Sequence, residues 1–235
     1  MTTNFKITCL TDIAGLSSAL PTFDEDSANA ATERQNSLTK PPGALGRLEE
    51  IAIFMAGWQK SDRPKIDNAQ ALVFAGNHGI CAQGVNPFPQ EVTAQMVGNF
   101  QNGGAAINQL CQANGAELSV IALDLDTPTA DFTQAAAMTA DECLSAINKG
   151  AQAVDKEADI LVLGEMGIGN STIAAALAAA VFGGNTTDWV GRGTGSDDDG
   201  VQRKVGAIDK GLSLHSDLDA MGILSALGGR EQAAI

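Results

Sequence analysis

The chain has 235 residues, 44% of them hydrophobic, which supports a substantial core in one large α/β domain, or in one domain with a smaller appendage, and excludes a disordered chain. Its 28 acidic and 14 basic side chains leave a formal net charge of −14, which opposes non-specific binding to nucleic acid or anionic lipid but permits one local basic pocket. Cys9, Cys81, Cys111 and Cys143 lack the close spacing of a disulfide-rich secreted fold, so reduced thiols in the cytoplasm are expected, and no leading apolar run has the character of a signal peptide or membrane span.

Residues 1–30 read as a polar leading segment with one short apolar element, DIAGLSSAL. Pro41-Pro42-Gly43 then forces an extended or turned stretch, after which Leu45, Leu48, Ile51 and Met55 recur at helical spacing. NAQALVFAGNHGI reads as a strand running into a polar turn, and the helices that follow break at Asn102-Gly103-Gly104. ELSVIALDLD is a second apolar strand. A helix near Asp141 to Ala153 leads into a third, ADILVLG, and the alanine-rich helix after it ends near Gly184 to Thr187. VGRGTGSDDDG is a second glycine-rich loop, followed by a helical pattern through VQRKVGAIDKGLSL. Strands near 72–76, 118–124 and 159–163, alternating with helices, predict a mostly parallel sheet covered on both faces.

The run GEMGIGNS, Gly164 to Ser171, nearly matches a nucleotide P-loop, but Asn170 stands where that loop needs a lysine for the β- and γ-phosphates. Its glycines, Gly164, Gly167 and Gly169, also miss the dinucleotide-binding spacing. What survives is a tight turn whose free helix-terminal amides suit one anion, against the equal reading of an ordinary close-packed turn. Glu165 would oppose an anion there unless it serves something else. It can accept ribose hydroxyls or a proton from a nitrogen nucleophile, or it can be an acid of the helix's first turn satisfied by backbone amides. Arg192 and the pair Arg203-Lys204 can each approach an anion, with ordinary surface charge as the plainer reading. Asp197, Asp198 and Asp199 suit a solvated helix start better than a metal site, because consecutive acids do not converge. His78, between glycines and far from His215, makes no zinc site, and no nucleophile elbow surrounds Ser171, Cys81 or Cys111.

Taken together, LTKPPGALGRLE, AGNHGI, GVNPFPQEVTAQMV, NGGAAINQL, LGEMGIGNST and VGRGTG resemble, in that order, the nicotinate-nucleotide:5,6-dimethylbenzimidazole phosphoribosyltransferases of cobalamin synthesis, over about Thr32 to the last residue. The resemblance implies an α/β fold, a Rossmann-like, mostly parallel sheet with a small helical accessory region, divided into residues 1–60 and 61–235, and a homodimer. It implies transfer of 5-phosphoribosyl from nicotinate mononucleotide to 5,6-dimethylbenzimidazole, without a cofactor or metal, since the leaving group is a pyridine carboxylate rather than pyrophosphate. Glu165 matches the family's acid near the nucleotide and is the catalytic candidate. Gly167, Gly169, Asn170 and Lys204 match phosphate-binding positions, and Asn86 with Gln95 lies in the segment that forms the base pocket.

Two departures accompany the match. Asn77 stands where the family commonly has an aspartate. The family also continues past its LSALGGREQAAI-like segment, and its main catalytic glutamate lies in that later part. For these 235 residues alone the resemblance therefore implies nucleotide binding with severely reduced turnover, and weak protection in a last strand–helix unit. A phosphate-nucleotide binding module and an inactive structural homologue are the alternatives.

Overall fold

The computed structural model describes residues 7–235. In chain order its elements are α1 (Asp12–Gly15), α2 (Glu25–Ser37), α3 (Arg47–Gln59), β1 (Ala69–Ala75), α4 (Glu91–Gln101), α5 (Ala106–Asn114), β2 (Ala116–Ala122), α6 (Ala140–Ala153) and β3 (Ile160–Met166). They continue as α7 (Asn170–Phe182), α8 (Thr186–Trp189), α9 (Asp198–Leu214), α10 (Ala220–Leu227) and α11 (Arg230–Ala234), with short 3-10 turns at Leu16–Ala19 and Gly79–Gln83. The leading segment is more structured than its polarity suggests. Within it α2 starts at Asp24, whose carboxylate accepts from the amide of Ser27 at 3.1 Å, and it packs on α3.

The three strands are parallel, in the order β2-β1-β3. β1 runs through the middle with Ala71 to Ala75 buried, as the continuous apolar run of a central parallel strand requires. Side chains alternate across the sheet. Leu72 and Phe74 pack with Leu123 and Ala234, so one face is covered by α11, which in turn packs on α6. On the opposite side α4 and α5 lie against β2, and a cleft of about 410 Å³ separates Met96, Phe100 and Ile107 from β3. β3 is an edge strand, and Val162 and Leu163 stay 47% and 43% exposed.

The third strand does not stop before Gly164. Gly164 and Glu165 pair with Val73 and Phe74, so the glutamate is a strand residue rather than the first acid of a helix. By the two-residue alternation it shares the face of Phe74, the face that α11 covers. The helix after the turn, α7, is apolar on all sides and buries Ile173, Ala175, Ala176 and Ala179, so it runs through the core. It ends where Gly183 takes a positive φ of 70°, which glycine adopts without penalty, and donates to Ala179 O.

The chain's last described segment is helical, α10 and α11, rather than a strand–helix unit; α10 is partly buried and α11 is largely covered. Arg230, Glu231, Ala233 and Ala234 are all covered. Arg230 donates to Thr127 O and, at 2.8 Å, to Glu142 Oε1. Gly150 of α6 lets α11 approach, since a Cβ there would stand 1.8 Å from Ala234 O. Gly150→Ala is therefore expected to destabilise the protein by about 1–3 kcal/mol, the overpacking cost outweighing the gain in helix propensity. A lower urea midpoint with an unchanged slope would register this, and an unchanged midpoint would contradict the packing.

Candidate active site

The turn between β3 and α7 gathers most of the residues singled out from sequence. Gly169 starts α7 at a φ of 95°, and a Cβ on it would meet Cys81 Sγ at 2.8 Å and Asn86 Oδ1 at 3.6 Å. Gly167 sits just as closely on β1's exit, where a Cβ would lie 2.2 Å from Gly76 O and 3.0 Å from His78 Nε2. The glycines thus serve close backbone approach to the loop after β1. That loop is tied down in return. The amide of Ile168 donates to Thr93 Oγ1 of α4 at 3.1 Å, Cys81 Sγ donates to Ile168 O at 3.2 Å, and Gln90 Nε2 donates to His78 O.

Asn170, in the position a P-loop lysine would occupy, donates from its side-chain amide to Glu165 Oε2. The carboxylate keeps one side open to solvent, yet crowding from the protein raises its pKa above the ordinary glutamate value. Desolvation is the main cause. Asn170 opposes it by hydrogen bonding, the charge of Glu231 adds to it, and that of His78 opposes it. A carboxyl whose proton affinity is lifted toward neutrality is better placed to take and return a proton than an ordinary surface acid.

On the far side of the same turn lies a buried cation. Lys204 of α9 is 2% exposed, with Nζ donating to Gly191 O at 3.1 Å and lying 3.5 Å from Ser171 Oγ. Gly193, at a φ of 56°, closes the arrangement, since a Cβ there would fall 2.7 Å from Ser171 Oγ and 3.1 Å from Lys204 Nζ. Burial lowers the lysine's pKa, and no carboxylate pairs with it among the described residues. The two glycine-rich loops therefore meet at an uncompensated ammonium beside the N-terminal end of a core helix. An anion there would gain the charge and the helix-terminal amides together.

The other charged candidates turn elsewhere. Arg192 folds back onto its own loop, bonding Asp198 and Ser196 O, and Arg203 donates to Gly84 O at 2.8 Å. Asp197 caps α9 by accepting from the Gly200 amide at 2.7 Å, the role expected of a solvated helix start. Asn86 is held by its bond to Phe88 O at 2.6 Å and reaches the turn at Gly169, whereas Gln95 lies on the exposed side of α4. Asn77 donates to Leu125 O at 3.0 Å, a bond that a carboxylate could not donate.

Sequence reasoning weighed His78 only as a zinc ligand and missed its neighbour Glu231. His78 and Glu231 are both fully buried, with Nε2 and Oε1 3.0 Å apart, and their partnership joins the loop after β1 to α11. Next to Glu231, Gln232 Nε2 donates to Asn170 O at 3.3 Å. The unusual glycines around the pair were the available signal, because Gly76 and Gly229 leave no room for a Cβ beside the Glu231 carboxylate, at 2.1 and 2.6 Å.

Comparison with known proteins agrees with this architecture. The family profile described as Phosphoribosyltransferase matches residues 20–235. The nicotinate-nucleotide–dimethylbenzimidazole phosphoribosyltransferase of Rhodobacter capsulatus is 62% identical over 230 residues, 98% of this chain and 69% of the relative. The protein of the same name from Ruegeria pomeroyi is 57% identical, over 96% of this chain and 68% of the relative. Among solved structures, CobT from Thermus thermophilus superposes with a TM-score of 0.80 at 37% identity, covering 89% of this chain and 69% of that one. The chain belongs to the nicotinate-nucleotide–dimethylbenzimidazole phosphoribosyltransferase family.

Proposed function

We propose that this protein transfers the 5-phosphoribosyl group of nicotinate mononucleotide to 5,6-dimethylbenzimidazole, giving α-ribazole 5′-phosphate and nicotinate. The observation that carries this reading is Lys204, a buried ammonium with no carboxylate partner among the described residues, set where two glycine-rich loops meet the start of α7. It anchors the 5′-phosphate with Ser171 and the amides that follow Gly167 and Gly169. Glu165 then stands on the opposite side of the same turn. An azole nitrogen bonds to the anomeric carbon as the bond to nicotinate breaks, and the azole N–H proton passes to the Glu165 carboxylate. Fixing the phosphate removes much of the orientational freedom that this displacement would otherwise cost.

Asn86 and Gln95 belong, in this reading, to the base pocket. Residues 1–60, built around the α2–α3 pair, form the accessory region and residues 61–235 the phosphoribosyltransferase domain. A homodimer in the cytoplasm completes the proposal. Stacked Phe182 and Trp189, 74% and 39% exposed, give an apolar surface for self-association, and the four free thiols suit a reducing compartment.

The phosphate reading is tested by calorimetric titration of the protein with nicotinate mononucleotide and with nicotinate riboside. The mononucleotide is expected to bind at least about tenfold more tightly, the worth of a charged hydrogen bond to the phosphate. Equal affinities would remove the phosphate from Lys204. Mass-spectrometric detection of α-ribazole 5′-phosphate after addition of 5,6-dimethylbenzimidazole tests transfer separately from binding.

A further inference from the structure

Beside the end of β3 that carries Glu165 lies a buried histidine–glutamate pair that neither the phosphate site nor the proton transfer uses. His78 and Glu231 are each 0% exposed, and Nε2 approaches Oε1 to 3.0 Å, but the N–H is misaligned for a hydrogen bond. Neither ring nitrogen nor either carboxylate oxygen has another hydrogen-bond partner among the described residues. Burying two polar groups this way is costly, and a fold retains such a pair at little benefit to stability. Room is cleared for it at Gly76, Gly167 and Gly229, where a Cβ would fall 2.1 Å from Glu231 Oε2, 3.0 Å from His78 Nε2 and 2.6 Å from His78 Cε1.

The pair is wired to Glu165 by short steps. Glu165 shares its sheet face with Phe74, the face that α11 covers, and Glu231 is on α11. Gln232, adjacent to Glu231, donates to Asn170 O, and the side chain of Asn170 donates to Glu165. We propose that His78 and Glu231 act together as a buried positioning pair, which holds Glu165 through α11 and Asn170 and sets the charge against which that carboxylate takes up a proton. This rests on the reading of Glu165 as the proton acceptor. Neither member of the pair touches substrate.

The charged groups facing Glu165 from the elements around it are Glu231 from α11 and His78 from the loop after β1. From α7 it meets the neutral Asn170, and the cleft beside it is lined from α4 and α5 by apolar groups, Met96, Phe100 and Ile107 among them. Of the two charges, that of Glu231 acts more strongly and raises the proton affinity of Glu165, while that of His78 lowers it. Glu231→Gln is therefore expected to move Glu165 toward lower pH. His78→Gln is expected to displace the Glu165 midpoint as well, because it removes the second of the two groups that face that carboxylate.

The test is carbon-13 NMR titration of the Glu165 carboxyl in the full 235-residue chain, assigned by its loss in Glu165→Gln. Shifts of about half a pH unit or more in both single variants support the pair's role. Two folded variants with the wild-type midpoint overturn it, as does an upward shift in Glu231→Gln. If either substitution unfolds the protein, the wild type decides: the His78 imidazole nitrogen signals must inflect at the Glu165 midpoint, and their failure to do so overturns the proposal. Because the titration needs no turnover, its outcome is read apart from product formation: coupling without product formation would leave the electrostatic link standing and remove the proton transfer it was assigned to serve. Product formation without coupling would do the reverse.

Discussion

Glu165→Gln is expected to lower the rate of α-ribazole 5′-phosphate formation by about 10²–10⁴, the usual contribution of a positioned general base. Affinity for nicotinate mononucleotide should stay within about threefold, because the proposed phosphate contacts, at Lys204 and Ser171, lie on the other side of the turn. Glutamine preserves the shape and the bond with Asn170 by reorienting that amide, so the loss reads the proton acceptor rather than the fold. The pH dependence supplies a second readout. Since crowding raises the pKa of Glu165, the acid limb of kcat/KM should lie above the ordinary glutamate value of about 4.3, with activity rising as pH climbs through it. Measuring nicotinate and α-ribazole 5′-phosphate by mass spectrometry at single-turnover excess of enzyme isolates the chemical step. An unchanged rate in the variant would assign the proton to another group.

The fold was legible because its signals are local. β1 and β2 announce themselves as apolar runs ending in turns, and the glycines after α4, α5 and α7 stop those helices in conformations that few other residues take. The helix α2 was hidden by its polarity, since most of its side chains face water and its support comes from α3 and the cap at Asp24. The end of β3 was misread for a related reason: Gly164 and Glu165 look like loop residues, and what makes them strand is pairing with Val73 and Phe74 of a segment far away in the chain. The site divides the same way. Glu165, Gly167, Gly169 and Asn170 stand in one contiguous motif, so sequence brings them together. The burial of Lys204 depends on Gly193 and Ser171 closing over it, and lysine is ordinarily a surface residue, so charge alone did not distinguish it from Arg203. His78 and Glu231 lie in separate motifs whose contact exists only once α11 docks on the sheet.

Lys204→Met is expected to separate binding from stability, with the two moving in opposite directions. In the unliganded protein the ammonium is covered, accepts no compensation from a carboxylate among the described residues, and bonds only to Gly191 O and, at the limit of range, Ser171 Oγ. Methionine fills a similar volume without a charge to desolvate, so the apo protein should gain about 1–3 kcal/mol, seen as a higher urea midpoint. Nicotinate mononucleotide should lose about 10–150-fold in affinity, the range for a hydrogen bond to a charged group, while nicotinate riboside is unaffected. The sign of the pH effect follows from the lysine's depressed pKa. Its folded pKa lies below the unfolded value near 10.4, so the native state carries a penalty at neutral pH that is relieved as pH rises through the folded pKa. Stability of the wild type should therefore approach that of Lys204→Met in alkaline solution, and its phosphate affinity should fall over the same interval. A variant that loses stability and binds the nucleotide as before would show Lys204 to be a packing residue, and the anion site would have to lie elsewhere on the turn.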